Sequence, residues 1–292
     1  MLHNPDSIHE RGIKHAFDAA ANTYDKVAVL QQEINNRLLE CFDLFSIECE
    51  RVLDLGSGTG YATDKIKKRF RRVKIVETDL SYSMLRQSKS KQSKLFSSQQ
   101  QVCSTARQLP FKENSFDVVY SNLMLQWCAN LDEVFLEINR VLKTGGVFVF
   151  SSFGPDTLKE LRQAWQAVDS DIHVNTFIDM HDVGDALIRN ALGEPVLSAE
   201  HMQIRYENIR LLMKELKQIG AQNKNEGRRK TLTGKNRFKK LKSNYESFRI
   251  DGMLPATYEI VYGHAWKIDS AKNVQSFSLE EMRQKLKRHN RK

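Results

Sequence analysis

One short segment, residues Val52–Gly60, constrains the fold of this chain more than any other. It reads Val-Leu-Asp-Leu-Gly-Ser-Gly-Thr-Gly, an apolar run around Asp54 followed by three glycines at every second position. The apolar run predicts a short buried strand, and the glycines predict a tight turn, because glycine adopts positive φ angles and lets a ligand come close. A helix is expected from about Tyr61 to Phe70, with its free N–H groups aimed at that ligand. Doubly wound α/β folds bind nucleotides at such a turn.

The spacing of the glycines distinguishes between nucleotide classes. Dinucleotide enzymes place the third glycine three residues after the second, but here Gly60 comes after two and Tyr61 fills the dinucleotide position. No Gly-Lys-Ser/Thr follows, which excludes a P-loop. The carboxylate of Asp54 would repel a pyrophosphate and suits a ligand with an amino group or a positive charge. The pattern resembles the first motif of the Rossmann-like S-adenosylmethionine-dependent methyltransferases; a plain strand-turn-helix is the alternative.

Composition is that of a soluble protein with an ample core. The 292 residues contain no apolar run near the roughly 20 residues of a membrane span, and residues 1–10 lack the apolar core of a signal peptide. The cysteines, Cys41, Cys49, Cys103 and Cys128, have no Cys-x-x-Cys spacing and are expected to be reduced thiols in a cytoplasmic protein. The histidines form no metal-ligand spacing, so no metal is predicted.

The net charge of +9 is clustered along the chain. Residues 65–74 hold seven basic side chains, residues 224–242 hold nine, and the tail from Arg283 is basic too. These clusters are either solvated helix faces, which is favoured for residues 65–74, or a docking surface for an anionic partner. Charge alone does not distinguish a nucleic acid from an acidic protein.

A second predicted strand, Val73–Thr78, leads into Asp79 and Leu80. Asp79 follows Gly58 by 21 residues, about where an acid binds the ribose hydroxyls in nucleotide folds of this topology. The alternative role is an N-cap for a helix beginning near Ser81. Both roles are compatible, and the ribose role is favoured.

The rest of the chain indicates a parallel sheet with additions. Strands are expected at residues 101–104, 115–120 and 147–152, with an amphipathic helix from Leu131 to Leu142, and this β-α alternation predicts parallel pairing. Polar Asn122 and Gln126 follow the fourth strand among apolar residues, and buried polar groups need partners. Residues 8–45 have helical periodicity, and residues 17–25 are polar enough to form a lid over the glycine loop. After residue 153 helices and loops precede late strands at 202–206 and 257–266, which would form an antiparallel edge.

Several longer strings resemble the malonyl-acyl-carrier-protein O-methyltransferases of the biotin pathway. They are Tyr24–Gln31, Ser121–Trp127 (Ser-Asn-Leu-Met-Leu-Gln-Trp), Phe153–Arg162, Asp179–Asp185, Ile219–Ala221 and Pro255–Glu259. The resemblance covers about residues 10–267. The glycine loop marks only the superfamily, whereas these strings together are much more specific.

The resemblance implies an α/β fold: a Rossmann-like, seven-stranded class I methyltransferase sheet with N-terminal helices and a helical insertion after strand five. It divides the single methyltransferase domain 1–267 into an N-terminal helical lid (1–46), a cofactor-binding core (47–152) and a helical insertion with closing strands (153–267). A basic polar tail, 268–292, follows. The family transfers a methyl group from S-adenosylmethionine to the free carboxylate of malonyl-acyl carrier protein, and the methyl ester starts pimeloyl synthesis for biotin.

One position departs from the family pattern. The family usually carries an acid before the Leu-Pro pair, where it accepts a hydrogen bond from the adenine amino group. Here that position is Thr105, and Arg107 replaces a nearby acid. A threonine hydroxyl can still accept, and the backbone of Ala106 can contribute. The resemblance therefore leaves open a weakened cofactor site.

The reaction needs positioning rather than a catalytic base. The malonyl carboxylate has a pKa of about 4 and is ionised at pH 7, so no catalytic triad and no metal are predicted. The expected cofactor-binding residues are Asp54, Gly56, Gly58, Gly60, Asp79, Leu80, Thr105, Ala106 and Asn122. The lid and substrate candidates are Tyr24, Gln31, Asn122 and Trp127. An aromatic ring of Tyr24 or Trp127 over the sulfonium would add cation–π attraction, with core packing the alternative for Trp127.

The expected partner is acyl carrier protein bearing a malonyl thioester, or malonyl-coenzyme A. The carrier protein is acidic, so the resemblance gives the basic stretch 224–242 a partner, with Arg228, Arg229 and Lys230 as docking candidates. No membrane is expected. Nucleic acid is disfavoured because the Asn/Asp-Pro-Pro-Tyr motif of amino-methylating enzymes is absent. The alternatives are an S-adenosylmethionine-dependent hydroxylase, a small-molecule methyltransferase and a non-enzymatic paralogue with an altered adenine site.

Overall fold

The structure is a computed structural model of the chain. It describes residues 10–44, 47–70, 72–91, 99–221, 223 and 234–269. The docking candidates Arg228, Arg229 and Lys230, and most of the predicted tail, lie outside these residues.

Seven strands form one sheet in the order β3-β2-β1-β4-β5-β7-β6. Their bounds are β1 Arg51–Leu55, β2 Lys74–Asp79, β3 Gln100–Cys103, β4 Phe116–Asn122, β5 Leu142–Phe153, β6 Leu192–Tyr206 and β7 Leu254–Lys267. Strands β1 to β5 pair in parallel, and β7 runs antiparallel to both β5 and β6. The predicted α/β class, the seven strands and the antiparallel edge are therefore confirmed.

Ten α-helices lie in the described part of the chain. They are α1 Glu10–Ala20, α2 Tyr24–Val27, α3 Val29–Glu40, α4 Tyr61–Arg69, α5 Tyr82–Lys91, α6 Leu131–Val141, α7 Lys159–Gln166, α8 Met180–Arg189, α9 Ile209–Gln218 and α10 Lys235–Glu246. The single predicted N-terminal helix is divided into three. Helices α7 and α8 form the predicted insertion after β5. None of the helices traced here combines the length and apolar character that crossing a bilayer requires.

The central strands are buried because helices cover both faces of the sheet. Val52, Leu53, Val118 and Val119 are all fully buried on neighbouring β1 and β4. A strand buried on both faces has an apolar run rather than an alternating pattern, which is why these strands are legible in the sequence. The run is broken only by Asp54.

Strand β6 is longer than the sequence predicts, beginning at Leu192 rather than Met202. Its residues alternate between half-buried and exposed because it lies at the edge of the sheet. The beginning of β6 is not recognisable in the sequence, because Gly193 and Pro195 both disfavour regular strands. Pairing with β7 supplies the hydrogen bonds that local propensity does not indicate.

Candidate functional site

A cavity of about 210 Å³ lies at the carboxyl ends of β1, β2 and β4. Gly56, Asp79 and Asn122, each at or just beyond the end of one of these strands, all line it. The carboxyl ends of parallel strands meet at one edge of a sheet, which brings together residues far apart in sequence. Tyr24, Gln31, Leu80, Thr105, Ala106 and Trp127 also line this cavity, which we call the cofactor cavity.

The glycine loop has the backbone that its sequence predicts. Gly56, Gly58 and Gly60 have φ angles of 76°, 54° and 80°. A Cβ atom at Gly56 would lie 2.5 Å from Cγ of Met124, whereas a Cβ at Gly58 would meet nothing within 4 Å. Gly58 therefore faces open space in the cavity wall. Gly60 is the N-cap of α4 and does not line the cavity.

Asp54 lies beneath the loop and not on the cavity wall. Only 2% of it is exposed, and its carboxyl accepts a hydrogen bond from Oγ1 of Thr63 at 2.8 Å. Burial, followed by the nearby charge of Glu77, raises the pKa of Asp54 to about 8. Asp54 does not line the cavity, so its suitability for a ligand with an amino group or a positive charge stays a prediction. Asp54 instead joins β1 to α4 and shapes the loop between them.

Replacement of Asp54 by Asn is expected to flatten the pH dependence of stability. The Asp54 pKa is about 8 in the folded chain and near its ordinary 3.8 in the unfolded chain. Between pH 4 and 8 the unfolded state binds fewer protons at this group, so the free energy of unfolding falls as pH rises. The carboxyl group of Asp54 contributes up to about 1.4 kcal/mol per pH unit to this fall in the free energy of unfolding. Denaturant unfolding from pH 5 to 8 measures the slope; parallel profiles for parent and variant would contradict the assignment.

Asp79 connects the loop after β1 to the loop after β2 and faces the cofactor cavity. Its Oδ2 accepts the N–H of Gly58 at 2.9 Å, and its Oδ1 accepts the N–H of Ser81 at 2.7 Å. Burial raises the pKa of Asp79 to about 6, although these two N–H groups oppose the shift. Each oxygen keeps a second lone pair. Asp79 thus caps the chain before α5 and presents an acceptor to the cavity, which makes the two predicted roles compatible.

The segment carrying α1 and α2 covers the loops through three carboxylates. Glu10 accepts from Oγ1 of Thr105, beyond β3, at 2.7 Å. Asp18 accepts from Oγ of Ser81, beyond β2, at 2.6 Å. Asp25 accepts from the hydroxyl of Thr59, beyond β1. Because β3, β2 and β1 are neighbours, one short segment contacts three adjacent loops. The lid function stays a prediction, and we call residues 10–27 the lid segment.

Asn122 is held in place at the end of β4. Its Oδ1 accepts from Oγ of Ser151 at 2.8 Å, and its Nδ2 donates to the backbone oxygen of Gln31 at 3.2 Å. Leu123 follows with a φ angle of 52°, an uncommon conformation for a branched apolar residue. The chain therefore leaves β4 abruptly and places Gln126 and the residue after it on the cavity wall.

Two aromatic rings among the candidates line the cofactor cavity. The ring of Trp127 packs edge-on against Phe17 of α1, with centroids 5.4 Å apart. Tyr24 is half-buried, and burial raises its pKa well above the ordinary value, with a further contribution from Asp79. Trp127 thus combines packing against the lid with exposure to the cavity, so the two alternatives for this residue are compatible.

Glu10 is a site residue that the sequence did not reveal. It lines the cofactor cavity, and its Oε2 accepts from Nη2 of Arg107 at 2.7 Å while Oε1 binds Thr105. The hydroxyl of Thr105 donates to Glu10 and accepts the N–H of Arg107 at 3.4 Å, so its role as an acceptor for the adenine amino group stays a prediction. A carboxylate lies beside position 105 after all, supplied by α1. No local pattern identifies such a residue, because the contact joins positions 95 residues apart.

A second cavity of about 420 Å³ adjoins the first. The cavities share Gln31, Gln126, Trp127, Phe153, Ile219 and Ala221.

Two side-chain clusters bring potential metal-ligating atoms within 4.8 Å of one another. They are Asp156 with His201 and Glu259, and Asp169 with Asp171 and His173. Ion pairs with Lys159 and Arg237, respectively, already neutralise these clusters in part.

Comparisons with other sequences identify the family of this chain. A family described as a methyltransferase domain matches residues 53–150, which contain the glycine loop, Asp79 and β4. The chain is 45% identical over 265 residues to the malonyl-[acyl-carrier protein] O-methyltransferase of Gallionella capsiferriformans, covering 89% of this chain and 91% of that protein. It is 43% identical over 265 residues to the protein of the same name from a Methylovorus species, covering 89% and 90%.

Solved structures share the fold at low sequence identity. The YcgJ protein of Bacillus subtilis aligns with a TM-score of 0.59 at 16% identity, covering 80% of this chain and 99% of that one. Phosphoethanolamine N-methyltransferase 2 of Haemonchus contortus, in complex with S-adenosyl-L-methionine, aligns with a TM-score of 0.51 at 19% identity, covering 86% and 57%. Both likenesses concern the fold alone.

Proposed function

Since this chain belongs to the malonyl-[acyl-carrier protein] O-methyltransferases, we propose that it transfers a methyl group from S-adenosylmethionine to the free carboxylate of malonyl-acyl carrier protein. Family membership makes it an O-methyltransferase and disfavours the hydroxylase, the small-molecule methyltransferase and the non-enzymatic paralogue. The methyl ester would serve the start of pimeloyl synthesis for biotin.

The residues of the cofactor cavity fit S-adenosylmethionine. The open space over Gly58 admits a ligand close to the backbone, and a Cβ there would project into that space. Asp79 offers acceptor lone pairs to the two ribose hydroxyls, which are donors. Leu80 and Ala106 supply apolar surface beside Asp79 and Thr105 for a flat base. Asn122 and the aromatic rings lie on the same wall and would face the methionine end.

We assign the adenine amino group to Glu10. Its carboxylate lies on the cavity wall at Thr105, the position where the family's acid is expected, and an ionised carboxylate accepts more strongly than a hydroxyl. Arg107 and Thr105 both donate to it and fix its orientation. The lid segment would then contribute directly to the recognition of adenine.

Replacement of Glu10 by Ala is expected to weaken S-adenosylhomocysteine binding about fivefold. The loss corresponds to one hydrogen bond to a charged group, about 1 kcal/mol, since the side chain is 41% exposed in its ion pair with Arg107. Calorimetry measures the change. S-inosylhomocysteine has a carbonyl oxygen in place of the amino group, which a carboxylate repels, so it should bind the variant at least as well as the parent. The matched control Arg107→Ala should retain discrimination between the two ligands; equal losses for both ligands in Glu10→Ala would contradict the assignment.

Catalysis by this site rests on positioning and on exclusion of water. S-adenosylmethionine, when bound, supplies a methyl group already activated on a sulfonium. The acceptor carboxylate is ionised at neutral pH, so no protein group has to remove a proton. The lid segment and the wall formed by Gln31, Gln126 and Trp127 would hold the carboxylate in line and keep water from two opposite charges.

One observation carries the proposal. A cavity with this set of groups lies at the carboxyl ends of β1, β2 and β4 in a methyltransferase fold, and the chain is 45% identical to a named relative. The test is incubation of the protein with methyl-labelled S-adenosylmethionine and malonyl-acyl carrier protein. Mass spectrometry should detect a labelled methyl ester on the malonyl group. A protein that binds the cofactor but forms no ester on any malonyl thioester would contradict the proposal.

The carrier protein is proposed to approach a basic surface near α10. Lys235, Lys239, Lys240 and Lys242 are exposed on this helix. The helix continues the basic stretch that begins at Lys224, so Arg228, Arg229 and Lys230 remain docking candidates. Complementary charge chiefly speeds encounter between partners.

Reversal of Arg228, Arg229 and Lys230 to Glu is expected to raise the KM for malonyl-acyl carrier protein about tenfold at low salt, with cofactor affinity unchanged. Added salt should reproduce the effect in the parent protein, because charges beyond about 8 Å are screened at physiological ionic strength. The double variant Lys239→Glu/Lys240→Glu is the matched test on α10. A short malonyl thioester with no charge other than its malonyl carboxylate should respond to neither variant. Unchanged carrier-protein kinetics in both variants would place docking elsewhere.

A further inference from the structure

The second cavity is larger than the reacting group requires. Its volume is about 420 Å³, twice that of the cofactor cavity, whereas a malonyl group is only a three-carbon diacid. Pockets of 300 Å³ or more in proteins hold ligands of drug size. The second cavity therefore has room for a longer part of the substrate, beyond the thioester.

The wall of the second cavity is mainly apolar with a few polar groups. Leu158, Leu161 and Trp165 line it from α7 and the residue preceding that helix, and Leu216 lines it from α9. The polar lining residues include Thr157, His173, Asn175 and Asn223. His173 stacks on Trp165 with ring centroids 3.7 Å apart. Such a wall suits a flexible chain of methylene and methyl groups interrupted by amides.

The boundary between the two cavities contains an acceptor without a donor. Gln126 is 8% exposed and lines both cavities. Its Nε2 donates to the backbone oxygen of Leu123 at 2.6 Å, while Oε1 has no hydrogen-bond partner among the described residues. A buried polar atom left unpaired is uncommon and costly, so Oε1 is suited to an N–H group of a ligand.

The other end of the second cavity opens beside the basic helix. Met213, 37% exposed, and the exposed Lys217 lie on the same wall, which places the mouth at α9. His173 on the wall bonds Asp169 at 2.7 Å, and Asp169 pairs with Arg237 of α10 at 3.1 Å. The wall of the second cavity and the basic helix are thus linked through two side-chain contacts.

We propose that the second cavity binds the pantetheine arm of the thioester substrate. The thioester would lie at the wall shared with the cofactor cavity, and the first amide of the arm would donate to Oε1 of Gln126. The arm would leave at Met213, where Lys217 would face its terminal phosphate and α10 the carrier protein. This inference rests on the proposed function, because it assigns the remainder of that substrate.

The experiment compares Met213→Trp, which narrows the mouth, with the control Leu211→Trp. Leu211 is on the same helix, is 41% exposed and does not line the cavity. Three substrates are used: malonyl-acyl carrier protein, malonyl-pantetheine and the short malonyl-N-acetylcysteamine. Met213→Trp should raise the KM for the first two at least tenfold and leave the KM for the short thioester within twofold. Leu211→Trp should change none of them.

Two outcomes would overturn the inference: equal KM changes for all three thioesters in Met213→Trp, or no change for any. A parent protein that methylates none of the three would instead refute the proposed function. The cavity is then still tested by titrating pantetheine alone, because Trp165 lines it. The intrinsic fluorescence of the parent should change, with at least a tenfold weaker apparent affinity in Met213→Trp; a response equal in both, or none in the parent, would contradict the assignment.

Discussion

Gly56→Ala is expected to abolish cofactor binding at accessible concentrations, a loss of at least a hundredfold. The new methyl group would lie 2.5 Å from Cγ and 2.7 Å from Cβ of Met124. Cβ cannot move without the backbone that follows β4, so the clash displaces either the glycine loop or the wall that carries Gln126. The φ angle of 76° adds strain of about 1 kcal/mol for a residue with a side chain.

Gly58→Ala is the matched control for this change. It shares the positive φ angle, but its Cβ meets no protein atom within 4 Å. Thermal unfolding should therefore show a larger fall in melting temperature for Gly56→Ala than for Gly58→Ala. Calorimetry with S-adenosylhomocysteine should still detect loss of affinity in both, since the Gly58 methyl group occupies ligand space. Unimpaired binding by Gly56→Ala would show that the loop accommodates the clash.

Asp79→Ala is expected to weaken cofactor binding by a hundredfold or more. The carboxylate accepts the N–H groups of Gly58 and Ser81 and faces the cavity, and hydrogen bonds to a charged group contribute about 1.5–3 kcal/mol each. The substitution removes the proposed ribose contact and also disconnects the loops after β1 and β2. The effect should therefore exceed that of a single lost hydrogen bond.

Asp79→Asn separates these two contributions. An asparagine Oδ1 can still accept from one of the two backbone N–H groups, whereas its Nδ2 faces the other donor. In calorimetry, the cofactor affinity of Asp79→Asn should fall between those of the parent and Asp79→Ala. The midpoints of unfolding should follow the same order. Parent-like affinity in Asp79→Ala would remove this residue from the ribose site.

The sequence predicts the parts of this molecule that local physics determines. The glycine loop and the buried strands β1, β4 and β5 are legible because backbone conformation and burial on two faces restrict the residue types allowed. The fold class follows from their β-α order. The position of Asp79 relative to Gly58 follows from the length of one β-α unit.

What the sequence did not reveal depends on contacts between distant segments. Glu10 precedes every motif and reaches Thr105 only because α1 packs across the sheet edge. Asp54 has the sequence position of a ligand-binding acid, yet the chain turns it towards Thr63 and into the interior. The second cavity lies between α7, α9 and β7, so no single segment indicates it.

The hydrogen bond between Thr105 and Glu10 links two positions that we expect to change together. An aspartate at 105 would place a second carboxylate beside Glu10, and two like charges at that distance repel. If Glu10 serves the adenine, we expect a chain in this family to carry an acid either in the loop after β3 or in α1 rather than in both. Among relatives, an acid at the position of Thr105 should accompany a neutral or basic residue at the position of Glu10. If relatives follow this pattern, the same binding requirement passes between distant parts of the chain during divergence.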